Sequence, residues 1–100
     1  MERRYYKALN FDLDTHKLQE EYLGRDYHKA YYDVRNFLKA HRFEHRQGSG
    51  YLSEDKMSSA DIFDLLDEME QELGWIGSCV KKLDVTNIGQ QYDLVYLFRI

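Results

Sequence analysis

Along this chain the hydrophobic period switches from two to about 3.6 and back, twice, and that order narrows the possible folds more than any other feature. Leu9, Phe11 and Leu13 alternate with Ala8, Asn10 and Asp12, which predicts a strand over Tyr5 to Leu13. Tyr27, Ala30, Tyr31, Val34, Phe37 and Leu38 then recur at helical spacing. They predict a helix that starts at an Asp26 N-cap and runs to about Leu38 or His41. The polar connection between them, residues 14 to 25, has room for a helical turn near Leu18 to Leu23. Two short strands are expected next, Phe43 to Arg46 and Ser49 to Ser53, around a Gln47-Gly48-Ser49-Gly50 turn. Ser53 to Ser59 reads as a loop. Ser58 to Asp61 has capping-box spacing, and Ile62, Leu65, Leu66, Met69 and Leu73 follow on one helix face, with Gly74 at its end. Val80 to Val85 is a fourth strand and Tyr92 to Phe98 a fifth.

Read in order this is β-α-β-β-α-β plus one strand, and the expected class is α+β. The arrangement is a ferredoxin-like antiparallel sheet with an additional C-terminal strand. One face of such a sheet carries both helices and the other stays open. An apolar fifth strand is expected to pair along an edge, of this sheet or of a second subunit's.

The 100 residues, 43% hydrophobic and with 15 aromatics, supply one core and predict a single domain over residues 1–100. At this size folding buries only about two-thirds of the chain's surface, so a partner surface would help. The single Cys79 excludes an intrachain disulfide framework and a cysteine-based zinc site, and suits a reducing compartment. The longest apolar run, Leu94 to Phe98, is too short for a bilayer, and the first residues lead into no signal-peptide core. The expectation is a soluble, cytoplasmic protein without a membrane partner. Residues 54 to 72 hold eight of the 18 acids and one of the 14 bases, so the net charge of -4 belongs to one helix and its approach. The other positions carry a slight excess of bases, which decides nothing about nucleic acid.

Period two also sorts the strands by face. With Leu9, Phe11 and Leu13 under the helices, Tyr6, Ala8, Asn10 and Asp12 turn to the open face. The same rule, with Gly50 and Leu52 inward, sends Ser49, Tyr51 and Ser53 outward; Lys82 and Asp84 also turn out. Asp12, Ser49, Lys82 and Asp84 are thus expected to share the open face. Ala8 and Asn10 are small enough for a second sheet to approach, which would bring Asp12 beside its symmetry mate. Like charges so placed must share a proton or a cation.

The strand ending Phe11-Asp12-Leu13 and the helix opening Tyr27-His28-Lys29-Ala30-Tyr31-Tyr32-Asp33-Val34-Arg35 are followed by Phe43, Gln47-Gly48-Ser49, Tyr51, Trp75, Ser78 and Val80. In this order and spacing, over roughly Tyr5 to Val85, the chain resembles the VapD (virulence-associated protein D) family of small bacterial toxins. That family is similar to the small CRISPR-associated ferredoxin-like endonucleases. The resemblance implies a homodimer, endoribonuclease activity on RNA, and a toxin–antitoxin setting with a small antitoxin protein as partner. It maps the suspected catalytic or metal-holding aspartate to Asp12 and the turn serine to Ser49. Many members carry Val-Arg-Asp-Ile in the last core strand, where this chain has Val80-Lys81-Lys82-Leu83-Asp84. Lys82 takes the place of the family's acid, and Asp84 offers one two residues on, on the same face.

Two chemical routes fit such a site. Asp12 can act as base on the ribose 2′-hydroxyl, with Ser49 donating to the phosphate and Lys82 offsetting the developing charge, and no cofactor is then required. Alternatively, Asp12 from each subunit can hold Mg²⁺, which activates water. The first needs fewer ligands from each chain. For RNA contact the candidates are Arg42, His45, Arg46, Gln47 and Tyr51, with Phe43 among them. Tyr5, Tyr6, Tyr31 and Tyr32 can stack on bases, though core and interface packing explains most Tyr residues. His41 and His45 are four apart but straddle the expected helix end, which disfavours a shared metal. A rival reading is a dimeric scaffold of the same fold that binds RNA or a protein without cleaving it; a small-ligand or regulatory module is a third.

Overall fold

A computed structural model describes residues 3–22 and 26–89 of the chain. The elements are β1 (Tyr5–Leu13), α1 (Thr15–Glu21), α2 (Lys29–Ala40), β2 (Phe43–His45), β3 (Gly50–Met57), α3 (Ser59–Glu72), α4 (Ile76–Cys79) and β4 (Val80–Ile88). The four strands form one antiparallel sheet in the order β2-β3-β1-β4. This is the α+β, ferredoxin-like order that the alternation of periods predicts. Each crossover helix carries the chain past one intervening strand. The expected fifth strand, Tyr92 to Phe98, lies outside the described residues.

The core is one cluster between sheet and helices. Leu9, Phe11 and Leu13 of β1 meet Ala30, Val34, Phe37 and Leu38 of α2, Ile62, Leu65 and Met69 of α3, and Leu18 of α1. Trp75 fills its edge and stands edge-to-face on Tyr22, with ring centroids 5.3 Å apart. Cys79, at the end of α4, is fully enclosed, and its carbonyl accepts from the Asp14 amide at 2.7 Å. Burial pushes its thiol above the ordinary value, helped by the nearby charges of Glu21 and Asp14. Among the described residues no helix is long and apolar enough to cross a membrane.

Local chemistry explains where elements start. Asp14 caps α1, its carboxylate accepting from the amides of His16 and Lys17 at 2.9 and 3.2 Å. The helical turn expected near Leu18 is therefore a seven-residue helix. Ser58 and Asp61 form the reciprocal capping box of α3. Asp26 does not cap α2 as expected. Its carboxylate binds the amide and Nδ1 of His28, closing a turn that delays the helix to Lys29.

The expected loop from Ser53 to Ser59 is mostly strand, because β3 continues to Met57. A bulge in the β1–β3 pairing falls between Tyr6 and Ala8. There the Lys7 amide donates to the Ser53 hydroxyl at 2.8 Å, and that hydroxyl donates to the Asp55 carbonyl at 2.7 Å. A polar side chain thus takes the place of a ladder bond, which the sequence pattern could not show. The bulge also leaves Lys7 buried on the helix side, its amine donating to the Asn87 side-chain oxygen.

Candidate active site

At the C-terminal end of β1 the register settles which residues share a face. Asp12 pairs with Lys82 and Asn10 with Asp84 across the β1–β4 ladder. All four positions are exposed, and Lys82 Nζ lies 3.5 Å from Asp84 Oδ2. Asp12, Lys82 and Asp84 therefore stand together on the face away from the helices, as the period-two reading expects. A bulge follows between Asp12 and Leu13, so the carboxylate sits where the ladder loosens.

The third strand obeys the opposite parity from the one expected. Tyr51 pairs with Leu9 and Gly50 with Asn10, so Tyr51 and Ser53 turn toward the helices and Leu52 toward the open face. Tyr51 is 7% exposed and belongs to the core cluster, which removes its ring from any stacking surface. The expectation failed because Tyr51, Leu52 and Ser53 are all buried, and period two cannot be read through an unbroken buried run. Ser49 is affected as well. It stands opposite Phe11, whose amide donates to the Ser49 carbonyl at 2.8 Å, so its register is one step from Asp12 on the helix-side parity.

The turn bearing Ser49 is tightly built. The Arg46 amide donates to the Gly50 carbonyl and the Gly50 amide to the Gln47 carbonyl, both at 2.8 Å. Gly48 has φ +52°, a conformation side chains seldom adopt. His45 Nε2 donates to the Gly48 carbonyl at 2.8 Å, so the ring carries its proton there, and it leans on the Tyr51 ring at 5.0 Å between centroids. His45 is thus a brace for the turn. The other RNA-contact candidates are distributed differently. Arg42 is held by Asp55 at 2.6 and 3.3 Å and lies 3.4 Å from Glu54. Its backbone has φ 66°, just past the end of α2. Arg46 lies 3.9 Å from Glu44, and Gln47 is exposed on the turn.

Two tyrosine phenols, Tyr31 on α2 and Tyr51 on β3, are shifted by their surroundings. Burial raises the Tyr31 phenol above its ordinary value, and the negative charge of Asp12 adds to the shift. Burial also raises the Tyr51 phenol, against the lowering effect of the Arg35 charge and of a side-chain hydrogen bond with Arg35. Tyr31 and Arg35 are four apart on one helix face. The sequence carried a sign of Arg35's position: its neighbours at three and four residues are Tyr31, Tyr32, Leu38 and Lys39, with no acid among them.

Among the described residues no three His, Cys, Asp or Glu side chains gather as a metal cage. Asp12 and Asp84 with Lys82 between them make a poor Mg²⁺ donor set within one chain, since that ion favours several oxygen ligands. A cavity of about 250 Å³ lies elsewhere, lined by Lys7, Ser59, Ile62, Phe63, Val85 and Asn87 at the opposite end of β1. Asp12, Lys82 and Asp84 are all exposed.

No protein-family model matches the chain. It is 34% identical over 92 residues to an endoribonuclease VapD of Dichelobacter nodosus, covering 92% of this chain and 96% of that protein. The chain belongs to the VapD family. Two further VapD relatives are each 28% identical. One is endoribonuclease VapD 2 of Riemerella anatipestifer, aligned over 88% of this chain and 94% of its own. The other is the endoribonuclease VapD homolog of Helicobacter pylori, aligned over 93% and 96%. The VapD resemblance read from the sequence is thus borne out across nearly the whole chain.

Proposed function

We propose that this chain is an endoribonuclease in which Asp12 acts as general base at the loosened end of β1. The observation that carries the reading is the exposed cross-strand pair Asp12–Lys82, with Asp84 beside it, on the open sheet face. The names of the VapD relatives, all endoribonucleases, support the reaction class. The Asp12 carboxylate takes the proton of a ribose 2′-hydroxyl. The 2′-oxygen then bonds to the adjacent phosphorus, the bond from phosphorus to the 5′-oxygen breaks, and water protonates the leaving oxygen. Lys82 offsets the charge that builds on the phosphoryl oxygens, with Asp84 holding its ammonium. The Ser49 carbonyl, bonded to the Phe11 amide, instead fixes the hairpin turn beside the end of β1. Arg46 and Gln47 meet the strand along the hairpin turn. The enzyme works in the cytoplasm as a homodimer whose open faces meet beside Asp12. It is the toxin of a toxin–antitoxin pair; the VapD resemblance supports that role, and an antitoxin-like reading frame beside its gene is the sign to look for.

The test is cleavage of single-stranded RNA with EDTA and with Mg²⁺, by the parent and by Asp12→Asn. The parent is expected to cut in EDTA and leave 2′,3′-cyclic phosphate ends. Asp12→Asn should lose at least about 100-fold in kcat, the scale of a general base. Full activity in the variant removes Asp12 from the mechanism. Cleavage that requires Mg²⁺ replaces this route with one in which Asp12 of both subunits holds the metal. A folded parent that binds RNA without cutting it is a scaffold.

A further inference from the structure

We infer that Tyr32 and Arg35 on α2 form a nucleotide-binding subsite, in which Arg35 takes an RNA backbone phosphate and Tyr32 stacks on the adjoining base. This rests on the reading of the Asp12 region as an RNA-cleaving site and extends it to a surface of α2. The first ground is charge pairing. Arg4, Arg42 and Arg46 each lie within 4 Å of a carboxylate, and so does Lys82. Among the described residues Arg35 has none. Its guanidinium stands instead over the Tyr32 ring, 5.8 Å from the centroid. An aromatic face orients a guanidinium without neutralising it, so the fork stays available to a phosphate.

The second ground is exposure. Tyr32 is 61% exposed and Tyr31 is 39% exposed, the opposite of what a core helix face shows. The stripe that α2 buries is Ala30, Val34, Phe37 and Leu38, so the Tyr32 side is surplus to the core. An open aromatic ring carrying an unneutralised arginine is the combination that holds single strands, by stacking and by phosphate contact together. Asp33, the acid nearest in sequence, is engaged elsewhere, accepting from the Tyr22 hydroxyl at 2.6 Å.

The third ground is place. α2 packs on β2, the strand that leads into the Ser49 turn. A strand that follows the Arg46–Gln47 turn, into which β2 leads, can therefore continue across α2.

The experiment measures binding of a labelled single-stranded RNA oligonucleotide to the full chain over a range of salt, together with kcat and KM for its cleavage. Arg35→Gln should flatten the slope of log affinity against log salt by about 0.7, the value for one single-strand phosphate. It should raise KM about tenfold with kcat within about threefold, because a contact outside the reacting atoms supplies uniform binding. Tyr32→Ala should weaken binding about tenfold, the scale of one stacked base, and leave the salt slope unchanged. Tyr32→Phe should restore it. Arg35→Lys should keep the slope and recover KM only in part. The control is Arg4→Gln, an equal change of charge at an arginine that already faces the Asp61 carboxylate at 3.7 Å, for which the slope should match the parent's. Equal flattening by Arg35→Gln and Arg4→Gln reduces the effect to net charge and overturns the subsite. So does a parent that cleaves RNA with KM untouched by Arg35→Gln. A parent that binds with the Arg35-dependent slope but does not cleave sinks the nuclease reading and leaves the subsite standing; no RNA binding at all sinks both.

Discussion

β1 and β3 lie side by side in one sheet and use their two faces differently. From Leu9 to Leu13 of β1, buried and exposed residues alternate, with Leu9, Phe11 and Leu13 in the core and Asn10 and Asp12 in water. β3 buries Tyr51, Leu52 and Ser53 in succession, then exposes Glu54, Asp55 and Lys56. The difference teaches how a sheet can be both anchor and reactive surface. β1 is held from the helix side alone, and its other side is free at the Asp12 end. β3 is held from both sides, and its side chains brace the turn and the bulge.

The largest effect that would break this contrast is on stability. Leu9, 1% exposed within the core cluster, should cost about 3–5 kcal/mol when truncated to Ala. Leu52 is 8% exposed but lies on the open face, outside that cluster, and Leu52→Ala should cost about 2 kcal/mol or less. Urea unfolding of the two variants decides it; equal losses would mean that both faces of the sheet contribute alike to the core.

A smaller effect tests the bulge. Ser53→Ala leaves the Lys7 amide without its acceptor in a buried setting, and should cost about 1–3 kcal/mol. An unchanged unfolding midpoint would show that the hydroxyl is incidental to the pairing of β1 with β3.

The smallest effect is at the point where β3 gives way to α3. Hydrogen bonds from the Ser58 amide and hydroxyl region hold Asp61 below its ordinary carboxylate value of 3.8. A group lowered in this way contributes stability that is complete above pH 3.8 and is lost as pH falls through its lower folded-state value. Asp61→Asn should therefore lower Tm slightly at pH 7, with the gap to the parent closing below pH 3.8. A gap that stays constant across this range would assign the loss to the changed shape of the cap rather than to its charge.

The same contrast explains what could be read in advance. The α+β order was legible because each period switch is marked by core residues, from Leu9 and Phe11 to Ile62 and Leu65. The open-face company of Asp12, Lys82 and Asp84 was legible because β1 and β4 carry polar residues on that side. The facing of Tyr51 was not, since a tyrosine can be buried or exposed and its neighbours gave no alternation. The extension of β3 depended on a hydroxyl filling a bulge, a contact made by residues 46 positions apart. The pairing of Arg42 with Asp55 was hidden for a similar reason: it needs that extension to exist.

Cys79 turns the interior of the molecule into a measurable quantity. Its sulfur is sealed beneath α4 and is disfavoured as a thiolate, so an alkylating reagent has nothing to attack while the chain is closed. As the chain's single cysteine, it makes the labelling rate a clock for how often this part of the protein opens, with no probe to be introduced.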